Sequence, residues 1–324
     1  MILNEGEGLR LLLIHTGGTI ATERKENTLS VTEHGVNRLV EKYRELGVKA
    51  EFEIDSPYDI LSETLDAEKL LKLGECLKKH IPGDYDGIII THGTDTLQYT
   101  SAFLSYYLGS ISIPVVMVSA NYPLDDKRSN GLQNLFGAVV FIREAQAAGV
   151  FAAYKNTSDN RVTIHRGTRL LAHEAYEDSL KSVFDSPFGY IKGESFAANP
   201  GFTDDEPYKA ICPDFGKPVL YLRAYVGIEY PSPLGFKAVL LEGYHSGTLN
   251  TSDKGLIRLC KQASEENIPV FLTGDPKGFE YETKQKYASL GIVSLPTAAP
   301  IAAYVRLMML PEASLRDQKN YGHL

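Results

Sequence analysis

Short, unbroken apolar runs alternate along this chain with longer stretches in which apolar residues recur every three or four positions. Residues 9–15 form the first run, and it ends in Thr16-Gly17-Gly18-Thr19. Residues 36–46 place Val36, Leu39, Val40, Tyr43 and Leu46 at helical spacing. Residues 50–54 alternate as a half-buried strand does. Asp66 stands where an N-cap belongs, ahead of a helix through Lys79 that carries Leu70, Leu71, Leu73 and Leu77. Residues 87–91 (Gly-Ile-Ile-Ile-Thr) read as a second buried strand, 97–108 as an aromatic-rich helix, 114–119 as a strand, 132–142 as a helix and 149–154 as a strand. This alternation predicts βαβ units, right-handed crossovers and a mainly parallel sheet.

The rhythm breaks between about residues 156 and 217, where Pro187, Pro200, Pro207 and Pro213 fall among glycines and acids. Alternation resumes with strands over 218–225 and 238–241, a helix over 253–265 and a strand over 269–273. A helix near 281–290 and a final segment over 298–310 follow. The expected fold class is α/β in two domains. The larger, residues 1–190, has a mainly parallel sheet flanked by helices. Residues 191–216 read as a linker, and 217–324 as a smaller α/β domain. The 324-residue length agrees, because single cores rarely grow beyond about 250–300 residues.

Composition removes several function classes. A formal net charge of −8 argues against a nucleic-acid or anionic-membrane partner, since both need a basic face. Cys76, Cys212 and Cys260 form no CxxC pair, which fits a reducing compartment, and no zinc spacing appears among them and the eight histidines. The first eight residues carry two glutamates and no basic region, and the apolar run behind them spans about six residues, too short for a signal peptide or a membrane span. A cytoplasmic protein is expected.

The candidate chemistry sits in two turns. Thr16-Gly17-Gly18-Thr19 follows the first buried strand and His92-Gly93-Thr94-Asp95-Thr96 follows the second. Ligands of open α/β sheets bind beyond the carboxyl ends of such strands. The glycines let backbone approach a ligand closely and offer amide donors to a carboxylate or an oxyanion. The threonines offer hydroxyl nucleophiles, which need a neighbouring base. Each turn alone also has a plain structural reading: the hydroxyls satisfy local backbone, and Thr94, Asp95 or Thr96 caps the following helix. Neither turn matches a phosphate loop or a dinucleotide fingerprint.

Together, Thr16-Gly17-Gly18-Thr19-Ile20-Ala21 and His92-Gly93-Thr94-Asp95-Thr96 resemble the bacterial-type L-asparaginase/glutaminase family. Residues 114–120, 134–138, 181–184 and 188–191 are similar to it as well. The resemblance implies two domains, dimers or tetramers, a small amino-acid amide as substrate, and no metal or cofactor. It implies hydrolysis of a side-chain amide to a carboxylate and ammonia through an acyl-enzyme. Carried over by motif, Thr19 is the nucleophile, Thr94 orients the attacking water, and Asp95 grips the substrate ammonium within a Thr–Lys–Asp relay. Gly18, Ser62 and Glu63 contribute to substrate binding.

The sequence departs from the family in three places. Residues 22–30, after the nucleophile, contain no tyrosine. Where the family has its lysine, this chain has Ala172 or His173, so His173 is the candidate replacement base; a hydrogen-bonded structural histidine is the other reading. Lys181 lies eight residues beyond His173 and matches a different family position. In the second domain, residues 243–248 and 297–300 stand where the family supplies an Asn and a Glu. The expected reaction is hydrolysis of L-asparagine to L-aspartate. The alternatives are an amino-acid-binding protein of this fold without catalysis, or an amidase for glutamine, D-asparagine or an N-substituted asparagine.

Overall fold

The first strand, β1 (Leu9–His15), is buried at every position but Arg10, which explains its unbroken apolar sequence: parallel strands covered by helices on both faces have no polar side. In the computed structural model, residues 8–25, 28–31, 33–47, 49–81, 83–203, 208–275, 281–295 and 298–316 are described. They divide into two units, Met1–Ala210 and Ile211–Leu324.

In the first unit, β1 is followed by a small antiparallel pair, β2 (Thr22–Lys25) and β3 (Thr28–Val31), and by helix α1 (Glu33–Glu45). Strand β4 (Ala50–Asp55), helix α2 (Ala67–His80) and strand β5 (Gly87–Thr91) come next. Helix α3 (Leu97–Leu108), β6 (Pro114–Val118), α4 (Gly131–Glu144) and β7 (Gly149–Tyr154) complete the parallel part. Three antiparallel strands follow: β8 (Thr163–Arg166), β9 (Gly189–Lys192) and β10 (Ser195–Ala198). The sheet order is β10-β9-β8-β7-β6-β5-β1-β4. The chain leaves β1 toward one edge and β5 toward the other, so a switch point lies between these two neighbours.

Asp66 caps α2 as its position suggests: its side chain accepts from the Lys69 amide at 2.9 Å. Helix α3 is buried nearly all round, and its Ser101 and Ser105 hydroxyls return to backbone carbonyls one turn earlier. The stretch after Tyr190, expected as linker, instead continues this sheet. Phe196 on β10 packs edge-on to Phe141 and stacks on Phe188, so apolar anchoring holds the hairpin on the core.

The second unit carries a four-stranded parallel sheet, β11 (Val219–Arg223), β12 (Ala238–Glu242), β13 (Val270–Thr273) and β14 (Ile292–Ser294), in that order. Helix α5 (Lys254–Glu265) is capped by Asp253, which accepts from the Gly255 and Leu256 amides. Helix α6 (Pro300–Met309) begins on proline, and α7 (Glu312–Leu315) follows. The helix expected near 281–290 is two 3-10 turns, Glu282–Lys286 and Ala288–Leu290. Tyr287 is the one large apolar side chain there that is buried, too little to hold an α-helical face. Lys237 is 2 % exposed, and its ammonium donates to the carbonyls of Asp214, Met308 and Leu310 at 2.7–2.8 Å. No helix among the described residues is long and apolar enough to cross a membrane.

Candidate active site

Both turns lie at the carboxyl ends of β1 and β5, which are hydrogen-bonded neighbours in register from Leu11↔Gly87 to His15↔Thr91. Gly17 and Gly18 take φ of 103° and 88°, a region open to glycine. A Cβ on Gly18 would stand 2.4 Å from the Gly93 nitrogen, and one on Gly93 would stand 2.4 Å from the Ser62 hydroxyl oxygen. The two turns therefore meet backbone against backbone at Gly18, where no side chain fits, and the second turn packs its Gly93 against the Ser62 side chain.

A third strand-end loop closes the arrangement. Gly17 forms a parallel bridge with Ile60; the Ile60 amide donates to the Thr16 carbonyl at 3.2 Å and the Gly18 amide to the Ile60 carbonyl at 3.3 Å. The Thr16 hydroxyl donates to the Thr91 carbonyl at 2.7 Å, so this threonine is structural. His15 and the Thr91 hydroxyl are hydrogen-bonded at 2.8 Å, and His15 Nε2 lies 3.3 Å from Asp59. Burial depresses His15 against the opposing pull of Asp59. His92 is fully buried, and burial pushes it down to about 4. Its Nδ1 donates to the Gly93 carbonyl and its Nε2 accepts from the Thr100 hydroxyl, both at 2.8 Å, so this neutral ring braces the second turn.

The remaining candidate side chains lie on or beside these turns. Thr19 starts a 3-10 turn, Thr19–Ala21, and is half-buried. Ser62 is 5 % exposed and its hydroxyl donates to Asp95 Oδ2 at 3.3 Å. Thr96 donates to the Ser62 carbonyl at 2.9 Å rather than capping α3, and the Asp95 carbonyl accepts from Gln98 at 3.0 Å. Asp95 is exposed, and no lysine or arginine pairs with it among the described residues. Glu63 is exposed beside Ser62. The half-buried Thr94 hydroxyl makes no hydrogen bond among the described residues. Thus Gly18, Thr19, Ser62, Thr94 and Asp95 come together around the switch point, with a carboxylate that no cation pairs among the described residues.

His173 does not join them. Its Nε2 lies 3.6 Å from Asp178 Oδ1, and its ring meets Tyr154 edge-on at 5.6 Å. Asp178 also accepts from Tyr154, from Thr157 and, at 2.7 Å, from Asn121. Burial drives the Asp178 carboxyl upward, but these donors outweigh it and hold the group at about 2. Lys181 is exposed and pairs with Glu177 at 3.6 Å. In the second unit, residues 243–248 form a local turn in which the Gly247 amide donates to the Tyr244 carbonyl at 2.7 Å. His15, Asp59 and Asp178 were not singled out by sequence; the only cue to the first was a histidine beside a glycine turn.

A sequence profile described as Asparaginase, N-terminal matches residues 10–200. The chain is 28 % identical to a glutamyl-tRNA(Gln) amidotransferase subunit of Methanobrevibacter smithii, over 91 % of this chain and 70 % of that protein. It is also 28 % identical to an L-asparaginase of Thermococcus kodakarensis, over 93 % of this chain and 92 % of that protein. The solved structure of the thermostable L-asparaginase from that organism superposes with a TM-score of 0.75 at 25 % identity, covering 97 % of this chain and 95 % of that one. With the profile spanning more than half of its length, the chain belongs to the asparaginase family and is an asparaginase-like amidohydrolase.

Proposed function

We propose that the chain hydrolyses the side-chain amide of L-asparagine to L-aspartate and ammonia through an acyl-enzyme on Thr19. The observation that carries this reading is the exposed Asp95 carboxylate, bonded by Ser62 beside the interlocked turns and paired with no lysine or arginine among the described residues. Asp95 and Glu63 receive the substrate ammonium, while Ser62 and Gly18 line the side where its carboxylate sits. The Thr19 hydroxyl attacks the amide carbon; the C–N bond breaks and ammonia leaves. A water oriented by Thr94 then hydrolyses the ester and returns the Thr19 hydroxyl. The Gly18 amide is engaged by Ile60, so oxyanion donors come from the second turn. The active form is a cytoplasmic homo-oligomer, a dimer or tetramer, whose mass light scattering would give.

One observation favours a second reading, an amino-acid-binding protein without catalysis. The Thr94 hydroxyl meets neither a lysine ammonium nor an imidazole among the described residues, and His173 is committed to Asp178. The test is ammonia release from L-asparagine, L-glutamine and D-asparagine, wild type beside Thr19→Ala. L-Glutamine belongs in the panel because relatives are named as amidotransferase subunits. Release from L-asparagine that vanishes in the variant supports hydrolysis. Calorimetric binding of aspartate without release supports the second reading, and neither result would overturn both.

A further inference from the structure

Away from the turns, at the edge of the sheet, three side chains with metal-binding atoms converge. Asp55 is the last residue of the edge strand β4, while Cys76 and His80 lie four apart in the last turns of α2 and so share a helix face. Asp55 Oδ2 is 2.8 Å from His80 Nε2 and 3.4 Å from Cys76 Sγ, and all three atoms lie within 4.8 Å of one another. Ligand atoms around a tetrahedral zinc stand about 3.3–3.6 Å apart, given metal–ligand lengths of about 2.0–2.3 Å. The Asp55–His80 contact would have to open by about half an ångström for the two groups to share one ion, and the Asp55–Cys76 spacing already fits.

The surroundings are those of a ligand set. Glu53, two residues before Asp55 on the same strand face, places Oε1 4.0 Å from His80 Nδ1, the ring nitrogen that a metal on Nε2 leaves free. Arg10 stands 3.6 Å from Glu53. The second oxygen of Asp55 accepts the Ser56 amide at 2.7 Å, which aims Oδ2 at the helix. Cys76 is 9 % exposed and His80 is partly exposed, so the cluster is sheltered yet reachable from solvent. Sequence spacing concealed it, because the carboxylates lie more than twenty residues before the cysteine and on another element.

We propose that Cys76, His80 and Asp55 bind a zinc-class divalent metal, with Glu53 orienting the imidazole and water completing the coordination. A thiolate, an imidazole and a carboxylate suit zinc and, as its spectroscopic substitute, cobalt(II), over magnesium or calcium. On binding, the Cys76 S–H bond is replaced by an S–metal bond and the proton passes to solvent. The ion would fasten β4 to α2 at the root of the loop that carries Asp59, Ile60 and Ser62.

The test titrates cobalt(II) into the purified, reduced full chain carrying Cys212→Ser, which removes the exposed cysteine. A thiolate-to-cobalt charge-transfer band saturating at one equivalent, displaced by zinc, is the expected result. Cys76→Ser should abolish the band, His80→Gln should weaken affinity at least a hundredfold, and Glu53→Gln about 10–100-fold. Zinc should raise the thermal midpoint of the parent and not of Cys76→Ser. Absence of the band at one equivalent overturns the proposal. So does a band unchanged in Cys76→Ser; should that variant fail to fold, unchanged affinity in both His80→Gln and Glu53→Gln overturns it equally.

Discussion

Each unit runs a parallel strand into a glycine turn that carries an aspartate, and the two aspartates meet different fates. After β13 comes Gly274-Asp275. Asp275 forms an ion pair with Lys284, both side chains nearly nine-tenths buried, and accepts from Ser294 at 2.6 Å. Gly247, at φ 69°, sits against it, and the Tyr287 hydroxyl donates to the Gly247 carbonyl at 2.9 Å. After β5, Asp95 has a serine at 3.3 Å, no cation among the described residues and an exposed face. The same local device therefore serves two ends. Where a lysine and a hydroxyl fill the turn, the carboxylate holds the fold together. Where a hydroxyl is present but no lysine pairs among the described residues, as at Asp95, the carboxylate stays exposed.

That contrast can be broken in order of expected effect. Thr19→Ala should cut ammonia release at least about a thousandfold while leaving the melting curve near wild type. Release that persisted would remove Thr19 from the role of nucleophile. Gly18→Ala must put a Cβ into the Gly93 backbone at positive φ, so a loss of about 3 kcal/mol in chemical unfolding is expected, with activity at background. Asp275→Asn, in the filled turn, strands a buried Lys284 and should cost about 3 kcal/mol of stability, with the KM for asparagine unchanged. Asp95→Asn, in the open turn, should do the reverse, raising KM about 10–100-fold with little change in unfolding. An effect on stability alone would erase the distinction.

The smallest effect concerns acid. The Asp178 carboxyl is held at about 2, below its ordinary 3.8. A depressed carboxyl contributes stability that is complete above about pH 4 and is lost as pH falls toward 2. Asp178→Asn should therefore be destabilised by about 1 kcal/mol at neutral pH, allowing for solvent screening, and should converge on wild type near pH 2. Urea midpoints at pH 7, 4 and 2 would show whether the gap closes.

The parallel strands were legible because burial on both faces leaves no polar residue to interrupt them, as in Ile88-Ile89-Ile90 and Val115-Val116-Met117-Val118. The turns were legible because only glycine fits where Gly18 meets Gly93. The antiparallel strands β8, β9 and β10 were not, being four residues each; Phe196 on β10 and Phe188, just before β9, anchor that end of the sheet on Phe141 and Phe151 rather than through a pattern of the strands' own. The Asp178 cluster draws on residues 121, 154, 157 and 173, and no local spacing links them. Ser62 came to notice through family resemblance alone; its bond to Asp95 crosses 33 positions.

Lys237 sets an order of events in the life of the nascent chain. Two of its three carbonyl partners, on Met308 and Leu310, are made more than seventy residues after it. While the ribosome is still adding those residues, the ammonium has only the Asp214 carbonyl and water, and drawing it into the interior without its other partners costs several kcal/mol. The second unit thus cannot consolidate strand by strand as it emerges. Lys237 gains its full set of carbonyls only once the last long helix has left the exit tunnel, so a chain stalled near residue 300 should be more open to chaperones and proteases than the finished one.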